Sequence, residues 1–237
     1  EKNLRKGSLA EVAVVILSPN GAVRGMIGGR KKNRVGSFNR AAQAKRQTGS
    51  IFKPFVYATA LEDGYQYSSI LEDSPVTIFL SDSESWSPKN YSRDYMGKTT
   101  LTDSMRLSIN TIPVKLSENI GREKVISTAN KLGLYNNLKN TPAVSLGTSE
   151  HTLLEVTGAY ASILNSGNYI KPYGIKELRL KDSGEPLMRK SPKLEEKILT
   201  QETSEQLIYM MYRTIQDGTG IRAKISNLEA AGKTGTT

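Results

Sequence analysis

Apolar residues along this chain recur with two different periods. Residues 12–17 (VAVVIL) and 22–27 (AVRGMI) are strand-length runs on either side of Ser18-Pro19-Asn20-Gly21. The Asn-Gly pair supplies the positive φ angles of a tight turn, so this stretch predicts a hairpin, ended by Gly28-Gly29. From Thr48-Gly49-Ser50 the spacing becomes helical, with Phe55, Val56, Ala58, Ala60 and Leu61 apolar and Gly64 as a stop. Residues 65–98 read as a long polar excursion with an extended piece at 76–80 (VTIFL). Helical patterns fill 99–165. One is capped by Thr99 or Thr100 and runs to Leu107, one covers 111–120, one covers 122–132 before Gly133, and one follows Ser149 and ends at Gly167. Beyond them, 175–180 and the turn Asp182-Ser183-Gly184 predict extended chain. Thr203-Ser204-Glu205-Gln206 resembles a capping box opening a helix that stops at Gly218, and 230–237 reads as a final strand. There is no internal repeat. Strands do not alternate with helices, so the pattern predicts a mixed α/β chain without βαβ units.

Composition narrows the chemistry. A chain of 237 residues is long enough for one large domain or two small ones. It has no run of about 18 apolar residues, and Glu1-Lys2-Asn3-Leu4-Arg5-Lys6 leads into no apolar segment of the signal-peptide kind. Zero cysteines exclude disulfides and thiolate metal sites. A single histidine, His151, argues against a Ser-His-Asp triad or a multi-histidine metal site, and it reads as a surface residue near a helix start. The 33 basic and 23 acidic residues leave a net charge of +10, which favours anionic partners such as nucleic acid, lipid headgroups or acidic wall polymers. Much of that charge lies between Arg30 and Arg46, where a solvated basic loop accounts for it equally well. No RNP-like aromatic pattern and no zinc finger supports nucleic-acid binding.

Three short motifs could carry chemistry. In Ser50-Ile51-Phe52-Lys53 a lysine follows a serine by three residues, which on a helix places both on one face. Gly49 lets other backbone come close in front of Ser50, and Pro54, lacking an N–H, marks the first turn as irregular. For Lys53 to act as a base it must shed its own proton, which from a reference pKa near 10.4 costs about 4.6 kcal/mol at pH 7. Burial beside a second cation supplies a shift of that size, and Lys233 is a candidate for that cation. Ser50 is the only serine with lysine at the third position after it, and Lys233-Thr234-Gly235 is the only Lys-Thr-Gly. Ser-x-Asn occurs at Ser18/Asn20, Ser108/Asn110 and Ser166/Asn168, and only the second lies between two predicted helices and between the other two motifs. The residues 227–234 approach the phosphate-cradling G-x-x-x-x-G-K-[ST] loop, but Asn227 stands in the first glycine's place and no helix length follows Thr234.

Taken in order, these motifs resemble the transpeptidase domain of class A penicillin-binding proteins, which carries Ser-x-x-Lys, Ser-x-Asn and Lys-Thr-Gly. The likeness extends over 38–62, 86–111, 145–169 and 230–237, and the wording RQ-x-GS-x-FKP around Ser50 favours class A over class B or a β-lactamase. The resemblance implies an α+β, penicillin-binding (serine β-lactamase-like) fold, with an antiparallel sheet, flanking helices and a helical subdomain. On that template 1–64 and 170–237 fall in the α/β part and about 65–169 in the helical part. The family fold runs on past Lys-Thr-Gly into further strands and a terminal helix, and a glycosyltransferase domain with a membrane anchor precedes it. The remainder of the domain is therefore an expected partner of this chain, and the strand bearing Lys233 is expected to be an unpaired edge without it.

The resemblance also implies roles. Ser50 is the nucleophile acylated by a donor stem peptide ending in D-Ala-D-Ala, and Lys53 is its base. Ser108 shuttles a proton with Lys53 and Lys233, and Asn110 holds the substrate amide. Thr234, with Gly235 beside it, helps Lys233 bind the terminal carboxylate, and the N–H groups of Ser50 and Thr236 form the oxyanion hole. The expected partners are stem peptides as donor and amine acceptor, with β-lactams as inhibitors. No cofactor, metal or nucleic acid is implied, and the place of action is the outer face of the cytoplasmic membrane. Two rival functions share the motifs. A serine β-lactamase would need an ExxLN glutamate, where this chain has Ala161 ahead of Ser162-Ile163-Leu164-Asn165, and an acylated sensor or inactive remnant would hold ligand without turnover. One departure from the family is the stretch 149–155, which reads SEHTLLE where the family usually has a form close to SEVTPLE.

Overall fold

The computed structural model describes residues 10–30, 36–135, 138–190 and 196–236. The predicted hairpin is formed by β1 (Val14–Leu17) and β2 (Val23–Ile27), paired antiparallel with Val14 opposite Ile27 and a register shift after Ile16. Only Gly21 of the Asn-Gly pair takes a positive φ, +82°, while the Asn20 side chain accepts from the Ala22 N–H at 3.2 Å. A Cβ at Gly21 would collide with the Ile170 side chain, so the turn sits directly on the segment after the fourth predicted helix. There Val23 and Tyr173 are joined by a 2.9 Å backbone bond.

A four-residue helix α1 (Arg40–Gln43) and a three-residue strand β3 (Lys45–Gln47) lead to the serine turn. Gly49–Phe52 is a 3₁₀ turn, and α2 (Lys53–Glu62) begins only at Lys53. Pro54 accounts for the change of period. The Ser50 carbonyl is left without an i+4 donor and accepts from the Lys53 N–H instead, the i+3 bond of a 3₁₀ turn. Every residue from Lys53 to Leu61 is buried, so α2 is the central helix, apolar on nearly all sides.

The polar excursion contains two antiparallel pieces of ladder. β4 (Ile70–Asp73) pairs with β7 (Gly97–Thr100), and β5 (Ile78–Phe79) pairs with β6 (Ser85–Trp86). Then come α3 (Leu101–Arg106), capped by Thr100, α4 (Thr111–Ile120) and α5 (Arg122–Lys131). β8 (Glu150–Thr152) closes back onto β3, with Arg46 opposite His151. α6 (Leu153–Leu164) follows, with a full capping box formed by Thr152 and Glu155. β9 (Glu177–Arg179) and β10 (Pro186–Arg189) form a hairpin around the predicted turn, and α7 (Gln201–Asp217) is the last long helix. Its cap is Thr200, whose hydroxyl accepts from Thr203, not the Thr203–Gln206 box expected from sequence. The helix therefore starts three residues earlier than that box implies.

The core joins α2 to faces of α3, α4, α5, α6 and α7, through residues such as Phe55, Met105, Leu116, Val125, Ile163 and Leu207. Among the described residues the strands pair two by two, all antiparallel, and helices surround them. This is the mixed antiparallel-strand and helix architecture expected. One expectation is overturned: 230–236 is not a strand. A strand exists by exchanging backbone bonds with a neighbour, and among the described residues no strand lies alongside this segment. It is held by other means, beginning with the bond from the Gly232 N–H to the Met211 carbonyl of α7, 3.2 Å.

Candidate active site

The serine turn is built by close backbone packing. Gly49 has φ +54°, its N–H donates to the Gly147 carbonyl at 2.9 Å, and a Cβ on Gly147 would strike the Gly49 backbone. The Gly49 Cβ position is occupied by the Thr236 carbonyl, and Gly235 packs so closely on Ile51 that a side chain there would meet its Cγ2 at 2.8 Å. The end of the chain therefore lies against the turn that carries Ser50. From the opposite side the Tyr160 hydroxyl donates to the Ile51 carbonyl at 2.8 Å. Ser50 is half-buried, and its N–H precedes the first bond of the 3₁₀ turn, Ile51 to Thr48 at 3.4 Å, which makes it one of the orphan donors of a helical start.

Lys53, wholly buried, points its amine at the second motif. Nζ donates to the Ser108 carbonyl at 2.7 Å, the Ser108 hydroxyl at 3.2 Å and Asn110 Oδ1 at 2.7 Å. Lys233 reaches the same hydroxyl from the other end of the sequence, with Nζ 2.7 Å from Ser108 Oγ and 3.1 Å from the Thr234 carbonyl. Thr234 is in turn tied through its hydroxyl to Thr219, 2.7 Å away. One serine hydroxyl thus bridges two lysine amines, separated by 180 positions in the sequence.

Electrostatics follow from burial. Desolvation, and then the positive charge of Lys233, hold the Lys53 amine well below the usual lysine pKa. Desolvation lowers Lys233 to about 8. Ser108 itself takes a left-handed φ of +59°, a conformation that costs a non-glycine residue about 1–3 kcal/mol and persists where its surroundings over-determine it. The bonds from Lys53 to its carbonyl and hydroxyl are part of that fixation.

A buried serine-turn lysine, a bridging serine and a returning Lys-Thr-Gly now have a relative to be compared with. The model of the penicillin binding protein transpeptidase domain matches residues 12–237. The chain belongs to the class A penicillin-binding protein transpeptidase family. It is 36% identical over 233 residues to penicillin-binding protein 1A of Aquifex aeolicus, covering 98% of this chain and 31% of that protein. It is 34% identical over 244 residues to penicillin-binding protein 1B of Escherichia coli, covering 100% of this chain and 29% of that one. The chain thus spans about a third of the length of these relatives. Among solved structures, penicillin-binding protein 1A from Haemophilus influenzae superposes with a TM-score of 0.87 at 28% identity, over 96% of this chain and 40% of that one. The PonA1 protein of Mycobacterium tuberculosis in complex with penicillin V has the same fold, with a TM-score of 0.81 at 24% identity over 95% of this chain and 61% of that one.

Within this penicillin-binding fold the three sequence motifs are gathered at one place, and the competing matches are not. Ser18/Asn20 is the hairpin turn, and Ser166/Asn168 is the exit of α6, with Ser166 at φ +55°. Ser162 is buried in α6 with its hydroxyl bonded to the Gly158 carbonyl and the Ile170 N–H, a structural role, and the glutamate position of an ExxLN loop ending at Asn165 falls on Ala161. His151 is not a surface residue. Pairing of β8 with β3 turns it inward until it is 2% exposed, and neither ring nitrogen has a hydrogen-bond partner among the described residues. Its imidazole is held below the ordinary histidine pKa by burial, with Glu155 opposing and Lys45 adding to the shift. The sequence reading missed Asp73 and Asn90, which stand directly behind Asn110. They lie 17 residues apart in a polar stretch, and no motif spacing marks them.

Proposed function

We propose that this chain forms the acyl-transfer site of a peptidoglycan D,D-transpeptidase working through a serine ester on Ser50. The observation that carries the reading is the Lys53–Ser108–Lys233 relay of amines and hydroxyl beside the serine turn. Burial, and then the charge of Lys233, favour the neutral form of Lys53, which is the state a base requires. The Ser50 hydroxyl attacks the carbonyl of the penultimate D-Ala, its proton passing to the Lys53 amine. The C–N bond to the last residue breaks, and D-alanine leaves carrying a proton delivered through Ser108. An acceptor amine then attacks the ester, an amide forms, and the proton it sheds restores the Ser50 hydroxyl.

The remaining residues fit the charges that develop. Lys233, with a pKa near 8, is still largely an ammonium at neutral pH and, with Thr234, suits the terminal carboxylate of the donor or of a β-lactam. Gly235 lets the returning segment pack on Ile51 of the serine turn, and the N–H groups of Ser50 and Thr236 suit the oxyanion, where one donor is worth about 10²–10³ in rate. Asn110 donates its Nδ2 to the Lys89 carbonyl at 2.7 Å and accepts from Lys53, so its position for holding the substrate amide is fixed from both ends. The reaction places the parent protein on the outer face of the cytoplasmic membrane, where stem peptides are. Among the described residues no helix is long and apolar enough to cross a membrane.

The test is product formation by the whole protein. A donor ending in D-Ala-D-Ala and an amine acceptor should yield free D-alanine and a new amide in equal amounts, and Ser50→Ala should yield neither. Release of D-alanine with water as the only acceptor would point to a hydrolase. An unreactive wild-type protein that still retains ligand would point to a sensor.

A further inference from the structure

The Asn90 carboxamide is completely used. Its Nδ2 donates to both Asp73 oxygens, at 3.0 and 3.1 Å, and to the Asp94 carbonyl at 3.0 Å. Its Oδ1 accepts from the Asn110 N–H at 2.9 Å and the Thr111 N–H at 3.4 Å. Asp73, at the end of β4 and 1% exposed, also accepts from the Met96 N–H at 2.9 Å and from the Thr111 hydroxyl. An ionised carboxylate can only accept, so Asp73 holds the NH₂ end of Asn90 toward itself and leaves the oxygen end facing Asn110. A backbone N–H needs that oxygen.

The consequence falls on Ser108-Ile109-Asn110. Ser108 has a left-handed φ, and the chain must be pinned on both sides for such a residue to stay there. On the near side the Ser108 N–H bonds to Met105 at 3.1 Å and the Ile109 N–H bonds to Ser104 at 3.0 Å. On the far side the pin is Asn90, holding the N–H of Asn110 just before α4 begins. Both acceptors of the Lys53 amine outside the Ser108 hydroxyl, the Ser108 carbonyl and Asn110 Oδ1, belong to the pinned segment.

We propose that Asn90, oriented by Asp73, is a positioning residue for the acylation step: it fixes the Ser108–Asn110 backbone so that the bridging hydroxyl and the Lys53 acceptors stand in register with the serine turn. This rests on the serine acyl-transfer reading above. It touches neither substrate nor reacting atoms and acts through Asn110.

The experiment measures the covalent step of Ser50 acylation by a β-lactam in the whole protein, at a temperature where circular dichroism shows every variant fully folded. Asn90→Ala should slow the covalent step by at least about tenfold while the folded fraction is unchanged. N90D sets two carboxylates face to face and should be slower still. The exchanged pair, D73N with N90D, removes the facing carboxylates and keeps an oxygen facing Asn110, but lacks the donor to the Asp94 carbonyl, so it should recover part of what N90D loses. If N90A does not fold, the comparison of N90D with the exchanged pair decides. Wild-type rates in N90A, or an exchanged pair as slow as N90D, would overturn the positioning role. A wild-type Ser50 that no β-lactam modifies would overturn the acyl-transfer reading, and the positioning role with it.

Discussion

At the scale of single residues the site is defined by two amines of different tendency competing for one hydroxyl. In the proposed reaction Lys53 has to be neutral to take a proton, and Lys233 has to be charged to hold a carboxylate. Acylation should therefore rise with pH as Lys53 loses its proton, and fall as pH passes about 8, where Lys233 becomes neutral. A rate that stays level to pH 10 would contradict this assignment. Lys233→Arg keeps a positive charge throughout that range, and the alkaline fall should disappear from whatever activity it retains. Ser108→Ala removes the bridge between the amines and should lower the covalent rate by about 10²-fold, the low end of what a positioned proton-transfer group supplies. Pre-steady-state acylation rates across pH check both expectations.

At the scale of elements, the active site depends on a 3₁₀ turn and a returning segment, not on regular strands. Gly49→Ala puts a methyl group into the Thr236 carbonyl and asks an L-residue to hold φ +54°. It should cut acylation by more than about tenfold, through displacement of the Lys233 segment. Thr152→Ala is the matching control. It removes the hydroxyl that caps α6, so it should cost about 1 kcal/mol of stability in thermal or denaturant unfolding and leave acylation unchanged. What was legible beforehand divides along similar lines. The β1–β2 hairpin and the long helices announced themselves, because Asn20-Gly21 and the 3.6-residue apolar spacing are local signals. Pro54 even marked the irregular serine turn. The pairings of β3 with β8 and β4 with β7 did not, since those strands are three or four residues long, largely polar, and find their partners far away in sequence. The same holds for 230–236, which reads as a strand by composition but has no strand partner among the described residues. His151 misled for a related reason, since its burial comes from a ladder that no local pattern reveals. The cluster of Lys53, Ser108, Asn110 and Lys233 beside the turn of Ser50 is legible from motif order, whereas Asp73 and Asn90 are tied to it through backbone geometry that no motif marks.

At the scale of the whole molecule, charge and shape separate two kinds of encounter. The net charge of +10 creates a long-range field that salt screens within roughly 8–10 Å under ordinary ionic strength. The Lys53–Ser108–Lys233 cluster is partly or wholly buried and is screened far less. Binding to an anionic wall polymer should therefore weaken steeply as salt is raised, while acylation by a small β-lactam changes much less. Parallel salt series, by co-sedimentation and by acylation rate, check this, and an equal salt dependence of the two would refute it.

The most direct measurement is the intact mass of the whole protein after exposure to penicillin, followed by peptide mapping. The account predicts one added penicilloyl group, located on the peptide that contains Ser50, stable for many minutes and absent in Ser50→Ala. An adduct on another residue, or an unmodified protein whose fold is intact, would contradict it.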